Sequence, residues 1–567
     1  MTTTRLKGGR VYDPLNGIDG KVLDLWISDG RIVAPPADGR ADEVIDLSGK
    51  VVMPGGIDLH SHIGGGKVNI ARMMLPEEHR AHLQHRHGAC RSGSGHASPS
   101  TFTTGYAYAR MGYTMAFEPA MLAANARQAH QEMADIPLLD KGAYVLLGSD
   151  DLLLGLIKDG TGRDAIRDYV AWTFQASQAL AIKIVNPGGI SAFKFNGRRM
   201  DLDTEGPFYG ITPRTILNTL ADAVTELGVP HPIHVHGCNL GVPGADATTL
   251  ATIQGMEGRR IHLTHLHFHS YGKEGKAGFS SGAGPIAELI NKSPNVSCDI
   301  GQVMFGQTVT ASGDTMSQVR NSRFASPKKW VAMDIECEAG CGVLPFQYRD
   351  KNLVNALQWC VGLELFLLIE DPWRVYLTTD HPNGAPFTTY PHLIRLLMDR
   401  SFRQDMLATI HKGARALSSL DGIDREYSLY EIAIVTRAGP ARILGIQDRH
   451  GHLGPGALAD VTVYEDLPDR EKMFAEPTLL LKAGRPVMRA GAILAPDLHG
   501  GTHVVRPGYD AAIKGRIGRF FEDYRDMRIG NFAVSDGEID DGGRGCVVVH
   551  GCGGPPRVLA TRGRSDG

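Results

Sequence analysis

Two histidines, His60 and His62, lie two residues apart in an apolar segment that follows Met53 and Pro54. In a β-strand, residues i and i+2 project from the same face, so both imidazoles can bind one metal ion. An isolated pair of this kind is weak evidence, because 23 histidines in 567 residues produce such pairs by chance. The pair therefore predicts a metal site only if other segments supply further ligands.

Four further segments read as strands that end near side chains able to bind metals. A lysine interrupts one apolar run, histidines alternate with aliphatic residues in two others, and a carboxylate precedes a proline-containing loop in the last. In chain order, these side chains are Lys183, His234 with His236, His265 with His267, and Asp380. Burial of a cation such as Lys183 in an apolar strand costs free energy, which indicates that the lysine has a specific chemical role.

This ordered set resembles the metal site of the amidohydrolase superfamily. The resemblance implies a (β/α)8 barrel whose first, fourth, fifth, sixth and eighth strands carry the ligands of two zinc ions. It also implies that the lysine is carboxylated to N6-carboxylysine, which bridges the two ions. Carried onto this chain, the ligands are His60, His62, Lys183, His236, His265 and Asp380.

Two ambiguities remain within that ligand set. His234 is the alternative to His236, and His267 the alternative to His265, because residues two apart in a strand share a face. Lys194 is the alternative to Lys183, which is preferred because its strand is longer and more apolar.

Longer blocks are similar to the A subunits of formylmethanofuran dehydrogenase and of its methylotroph counterpart, the formyltransferase/hydrolase complex. The blocks include residues 13–17, 66–69, 91–93, 105–114, 185–189 and 378–384. This resemblance implies hydrolysis, or reversible formation, of the formamide of N-formyl-methanofuran or its analogue methylofuran. It also implies assembly with subunits B, C and D. The direction of the reaction is open, and we favour the hydrolytic methylotroph type.

Residue types suggest further roles near the barrel mouth. Asp380 is suited to carry the proton from the attacking water to the leaving nitrogen, with Lys183 as the second catalytic group. We expect Asn69, Arg72 and Asn383 to bind substrate. Lys67 and Arg91 are additional cations for the anionic tail of methanofuran.

Changes in the sequence pattern along the chain predict the strands and helices that position these residues. Short strands and turns fill residues 1–53, and apolar strands alternate with helical stretches such as 213–227 over residues 54–440. Residues 441–505 return to short strands, which in amidohydrolases complete one small composite β-sandwich with the N-terminal strands. The tail, residues 506–567, is rich in Gly, Arg and Asp, and we expect an extended arm or subunit contact.

Composition agrees with a large enzyme of the α/β class. The chain is 42% hydrophobic, has a net charge of -3, and contains eight dispersed cysteines. These features favour a cytoplasmic protein with reduced thiols. They do not indicate binding to nucleic acid or to a membrane. Two other functions are a cyclic amidase of the dihydropyrimidinase or dihydroorotase type, and a scaffold subunit without catalytic activity.

Overall fold

The computed structural model describes residues 2–194, 197, 199–276, 278–333, 341–539, 545–553 and 557–559. Its centre is a barrel of parallel strands, each paired with the next in chain order. The eight strands are Gly56–Asp58, Tyr113–Met121, Asp140–Leu146, Ala181–Val185, Ile233–His236, Ile261–Leu263, Val296–Asp299 and Val375–Tyr376. The barrel closes where Ser61 bridges His381, just beyond the first and eighth strands.

Helices cover the outside of the barrel, which leaves its strands buried on both faces. Every residue of the second, third and fourth strands is buried, as expected for parallel strands between a packed interior and a helical layer. The longest helices between barrel strands are Thr101–Arg110, Ala126–Ala134, Asp151–Lys158, Arg163–Ser177, Pro213–Glu226, Ala245–Gly255, Ala283–Lys292 and Leu353–Leu368. The helix expected over 213–227 is confirmed, and Thr212 caps its N-terminus.

Further helices complete the structure around the barrel and its loops. They are Gly66–Met73, Pro76–Ala81, Ile190–Lys194, Thr315–Asn321, Tyr390–Met398, Arg400–Thr409, Lys412–Ala416, Leu429–Ala433, Gly439–Leu444 and Arg470–Ala475. In the described part of the chain, no helix is both long enough and apolar enough to cross a bilayer.

An insertion between the seventh and eighth strands builds a small antiparallel sheet. Its strands are Gly306–Ser312, Val331–Met333 and Cys341–Tyr348. Two short hairpins lie elsewhere, formed by Leu83–Gln84 with Gly93–Ser94 and by Tyr271–Gly272 with Ser280–Ser281. These insertions contribute part of the length beyond a bare barrel.

A second sheet combines strands from both sides of the barrel segment. Its nine strands are Thr3–Asp13, Ile18–Ser28, Arg31–Val33, Glu43–Asp46, Lys50–Pro54, Val461–Glu465, Leu479–Lys482, Arg485–Arg489 and Ala492–Ile493. Lys50–Pro54 pairs with Val461–Glu465, which joins the early strands to the late ones. The predicted fold, a (β/α)8 barrel with a small composite β-domain, is confirmed.

The strand Thr502–Val505 and the described part of the tail that follows it pack against the barrel. Thr502–Val505 pairs with the third barrel strand, and Val547–His550 pairs with Thr502–Val505. The helix Ile513–Tyr524 and its neighbour Ile529–Phe532 bury Phe521 and Phe532 against Trp172, with ring centroids 6.2 and 5.4 Å away. A few aromatic residues are enough to dock this otherwise polar segment, because each buries a large apolar area.

Arg437 links the barrel to the second sheet. It is buried in the π-helical turn Ile434–Ala438, and its guanidinium donates to the Pro54 carbonyl and the Tyr464 hydroxyl, each at 2.8 Å. The same hydroxyl donates to the carbonyl of Met111 at 2.9 Å. One buried cation thus joins the barrel to the second sheet.

We predict that Arg437→Met lowers the free energy of unfolding by about 2 to 4 kcal/mol, because it leaves buried acceptors without donors. Arg442→Met is the matched control, since Arg442 is exposed and its guanidinium lies 5.3 Å from the centre of the Trp373 ring. Chemical denaturation followed by fluorescence measures both variants. Equal midpoints for the two variants would contradict this role for Arg437.

Candidate metal centre

The carboxyl ends of the barrel strands open into a cavity of about 440 Å³. The structure brings all six preferred ligands to its wall: His60, His62, Lys183, His236, His265 and Asp380. The barrel geometry explains this meeting, because residues that end successive parallel strands surround one axial opening.

Two histidines that follow the first strand, His60 and His62, meet Asp380 on one side of the cavity. The same carboxylate oxygen, Oδ1, lies 2.9 Å from His60 Nε2 and 3.3 Å from His62 Nε2. One donor atom from each of the three residues lies within 4.8 Å of the others. Burial alone would raise the pKa of Asp380, but His265 and His60 hold it well below its usual range. The carboxylate is therefore ionised, as a metal ligand must be.

His236 and His265 form the opposite side. Their ring centroids lie 4.7 Å apart, and both rings are buried. His236 Nε2 and His265 Nδ1 have no hydrogen-bond partner among the described residues. Buried nitrogens without a partner are costly, so two of them facing one cavity indicate a missing ligand such as a metal ion.

Lys183 is also buried at the cavity wall. Burial lowers its pKa to about 7, although Asp299 and Asp380 favour the charged form. A neutral amine is the form that reacts with carbon dioxide, and it is accessible near neutral pH at this position. The chemistry of the donor set, with four imidazoles, a carboxylate and a lysine open to carboxylation, fits two zinc ions.

The backbone is strained where two of these ligands leave their strands. His265 and Asp380 have positive φ angles of 35° and 49°. Gly301 fits between them, since a Cβ at this position would meet His265 Cβ at 2.4 Å and Asp380 Cβ at 3.2 Å. Left-handed backbone costs free energy at residues other than glycine, so its presence at both ligands indicates a functional constraint.

Two acidic residues that sequence reasoning missed orient the ligands. Glu118 accepts hydrogen bonds from the backbone N–H groups of Ile63 and Gly64, and its Oε1 lies 3.0 Å from His62 Nδ1. Asp299 lies 3.1 Å from His262 Nε2 and accepts from the His265 N–H at 2.8 Å. Asp299 is the last residue of its strand, a signal like that of Asp380 that could have identified it.

The alternatives to the preferred histidines and lysine do not line the cavity. His234 lies behind His60, with its Nε2 2.9 Å from His60 Nδ1 and its Nδ1 3.0 Å from His231 Nε2. His267 Nδ1 lies 2.9 Å from the Ile300 carbonyl. Lys194 ends the helix Ile190–Lys194, away from the cavity lining.

A third histidine stands close to the pair formed by His236 and His265. His269 is buried, and donor atoms of the three rings lie within 4.8 Å of one another. It belongs to the short 3-10 turn Leu266–His269, beyond the end of the strand. Sequence reasoning missed it because the strand pattern ends before this position.

The predicted substrate-binding residues divide between two places. Asn383 and Lys67 line the cavity, as does Arg320, which sequence reasoning missed. Asn69 and Arg72 instead bind Glu132, where the Asn69 amide donates at 2.8 Å and Arg72 forms an ion pair. The structure does not bring these two side chains to the metal ligands.

Comparison with known proteins agrees with this geometry. A family model described as the amidohydrolase family matches residues 43–488. The chain belongs to this family. It is 46% identical to the A subunit of the formyltransferase/hydrolase complex Fhc of Methylorubrum extorquens, over 94% of this chain and 96% of that protein. It is 41% identical to protein FwdA of Methanocaldococcus jannaschii, again over 94% and 96%.

A solved structure extends the likeness to three dimensions. A chain in the crystal structure of the formyltransferase/hydrolase complex of Methylorubrum extorquens with methylofuran superposes with a TM-score of 0.90. The two chains are 44% identical, and the alignment covers 97% of this amidohydrolase and 100% of that chain. The resemblance inferred from the sequence, to amidohydrolases and to these A subunits, is confirmed, and so is the prediction of a hydrolase.

We predict that Glu118→Gln weakens divalent metal binding about 10- to 100-fold, because the His62 ring loses the carboxylate that orients it. Glu132→Gln is the matched control, since Glu132 holds Asn69 and Arg72 outside the cavity lining. Competition with a fluorescent chelator measures the affinity. An unchanged affinity in Glu118→Gln would show that Glu118 does not support His62.

Proposed function

We propose that this amidohydrolase hydrolyses, or reversibly forms, the formamide of a formylated furan carrier, with formate as the product of hydrolysis. The carrier is methanofuran or methylofuran. The observation that carries the proposal is a six-ligand cavity in a chain similar to formyltransferase/hydrolase A subunits over nearly its whole length.

The metal site would hold two zinc ions. His60, His62 and Asp380 would bind one ion, His236 and His265 the other, and Lys183 as N6-carboxylysine would bridge them. When bound, the two ions would supply Lewis-acid polarisation of the formyl carbonyl and would lower the pKa of the attacking water.

Residues of the chain itself would transfer the proton. Hydrolysis of the formamide adds one water, breaks the bond between carbon and nitrogen, and yields formate and a primary amine. Asp380 is ionised and faces the cavity, so its carboxylate is suited to accept the proton of the water and to deliver it to the leaving nitrogen.

Other cavity residues are suited to bind the substrate. Asn383 brings an amide to the wall, although its Oδ1 already accepts from the Ala311 N–H at 2.6 Å. Its amide N–H groups are the part that would orient the formyl group. Lys67 and Arg320 add two cations to the same cavity, which suits a carrier with an anionic tail.

The two other functions are less well supported. A cyclic amidase shares the metal ligands, but the likeness to formyltransferase/hydrolase A subunits also covers the insertions and the tail. A scaffold without activity would not need to keep six ligands around one cavity. We place the enzyme in the cytoplasm, in keeping with the seven free cysteines of the described residues.

We predict that Asp380→Asn keeps much of the zinc but lowers kcat about 10²- to 10⁴-fold, because an amide can bind the metal but cannot accept the proton. His60→Ala should lose zinc and activity together. Release of formate from a formylated furan amine and elemental analysis on the same samples separate the two effects. Asp421→Asn, which alters a surface ion pair with Arg415, is the control.

Near-normal turnover in a zinc-loaded Asp380→Asn protein would assign the proton transfer to another group. His269, whose ring stands close to those of His236 and His265, would then be the next residue to change, ahead of His267.

We also predict that the chain assembles with subunits B, C and D, because the structural relative that it matches over its whole length is part of the complex FhcABCD. Co-expression with the genes of such subunits, followed by affinity purification and native mass spectrometry, measures the assembly. A monomer that retains full formate release in the presence of these subunits would contradict the prediction.

A further inference from the structure

A second group of buried metal-binding side chains lies away from the cavity. We call it the junction cluster: Asp140, His450, Asp460 and His503. All four residues are at most 6% exposed. They come from three parts of the chain, because Asp140 begins the third barrel strand, His450 and Asp460 precede Val461–Glu465 of the second sheet, and His503 belongs to the tail strand Thr502–Val505.

The position of the cluster separates it from the catalytic cavity. Asp140 is the first residue of its strand, whereas the cavity ligands lie at the carboxyl ends of their strands. The amino end of such a barrel is the face associated with stability rather than with catalysis. The two sites share no residue.

Unpaired donor atoms of the cluster face one another. His450 Nδ1, His503 Nε2 and Asp460 Oδ2 have no hydrogen-bond partner among the described residues. His450 Nδ1 lies 3.6 Å from Asp460 Oδ2, and His503 Nε2 lies 4.0 Å from Asp140 Oδ2. Donors on a tetrahedral zinc ion lie about 3.3 Å apart, since the bonds are about 2.0 Å long, so small side-chain rotations would close the shell.

In three of these residues, a second polar atom is already held. His503 Nδ1 lies 2.7 Å from His550 Nε2. Asp140 Oδ1 accepts from the Gly501 N–H, and Asp460 Oδ1 accepts from the Ala483 N–H, both at 2.7 Å. Metal ligands are oriented in this way, with one atom fixed by an outer partner and the other directed at the ion.

Charge also favours a cation. Lys482 lies 2.8 Å from Asp140 Oδ2 and 4.0 Å from Asp460 Oδ2, so one ammonium faces two carboxylates. A buried negative charge without a partner is expensive, and a divalent ion would neutralise it.

We propose that Asp140, His450, Asp460 and His503 bind one structural zinc ion that fastens the tail to the barrel and to the second sheet. This site goes beyond the proposed function, because the ion takes no part in the reaction. The competing description is an ion-pair network of Asp140, Lys482 and Asp460 with neutral histidines beside it.

The test begins with the full-length protein purified from zinc-supplemented medium and crystallised. Diffraction data collected above and below the zinc edge should place an anomalous peak between His450 and His503, separate from those in the cavity. A junction without such a peak in zinc-loaded protein would overturn the proposal and leave the ion-pair network.

Two variants test the ligands in solution. His450→Ala and His503→Ala should each lose about one metal equivalent per chain and unfold at a lower temperature, while the cavity keeps its metal. His130→Ala is the matched control, because His130 is an equally buried histidine whose Nε2 lies 2.9 Å from the Ser177 carbonyl. Metal content equal to wild type in both folded variants would also overturn the proposal. If neither variant folds, the anomalous map decides.

The outcome is distinguishable from failure of the proposed function. Peaks in the cavity alone would reject the junction ion and leave the proposed function intact. A peak at the junction alone would support the junction ion and contradict the metal site of the proposed function.

Discussion

The bridge between Ser61 and His381 is the contact on which the site depends. The His62 N–H donates to the His381 carbonyl at 2.9 Å, and this pairing closes the barrel. His60 and His62 flank one side of the seam, and Asp380 flanks the other. Closure of the barrel therefore also brings together half of the proposed metal site, and any shift in strand register at the seam would separate these side chains.

The site also depends on close packing around the strand ends. His265 and Asp380 keep left-handed backbone conformations because Gly301 leaves room for both side chains. Glu118 and Asp299 then hold imidazoles and backbone N–H groups at fixed angles. Contacts within the chain thus hold the side chains of the proposed site, an arrangement that would position reacting groups without reorganisation.

Local patterns predicted much of this architecture, because apolar strands that end in histidine or aspartate are visible in the sequence. They could not separate His234 from His236, since both face inward and differ only in depth along the barrel axis. They also placed Arg72 near the substrate, whereas its ion pair with Glu132 draws it elsewhere. Pairings between residues far apart in the chain, such as those around His503, leave no local pattern to detect.

The strand Thr502–Val505 occupies the edge of the third barrel strand just below the point where the fourth strand joins it. It pairs with Lys141 and Gly142, and the Val505 N–H donates to the Ala179 carbonyl at 3.0 Å. During translation this segment leaves the ribosome only after the barrel and the second sheet have been made. The wall between the third and fourth strands stays incomplete until this late segment joins it, so the nascent chain exposes a strand edge for most of its synthesis.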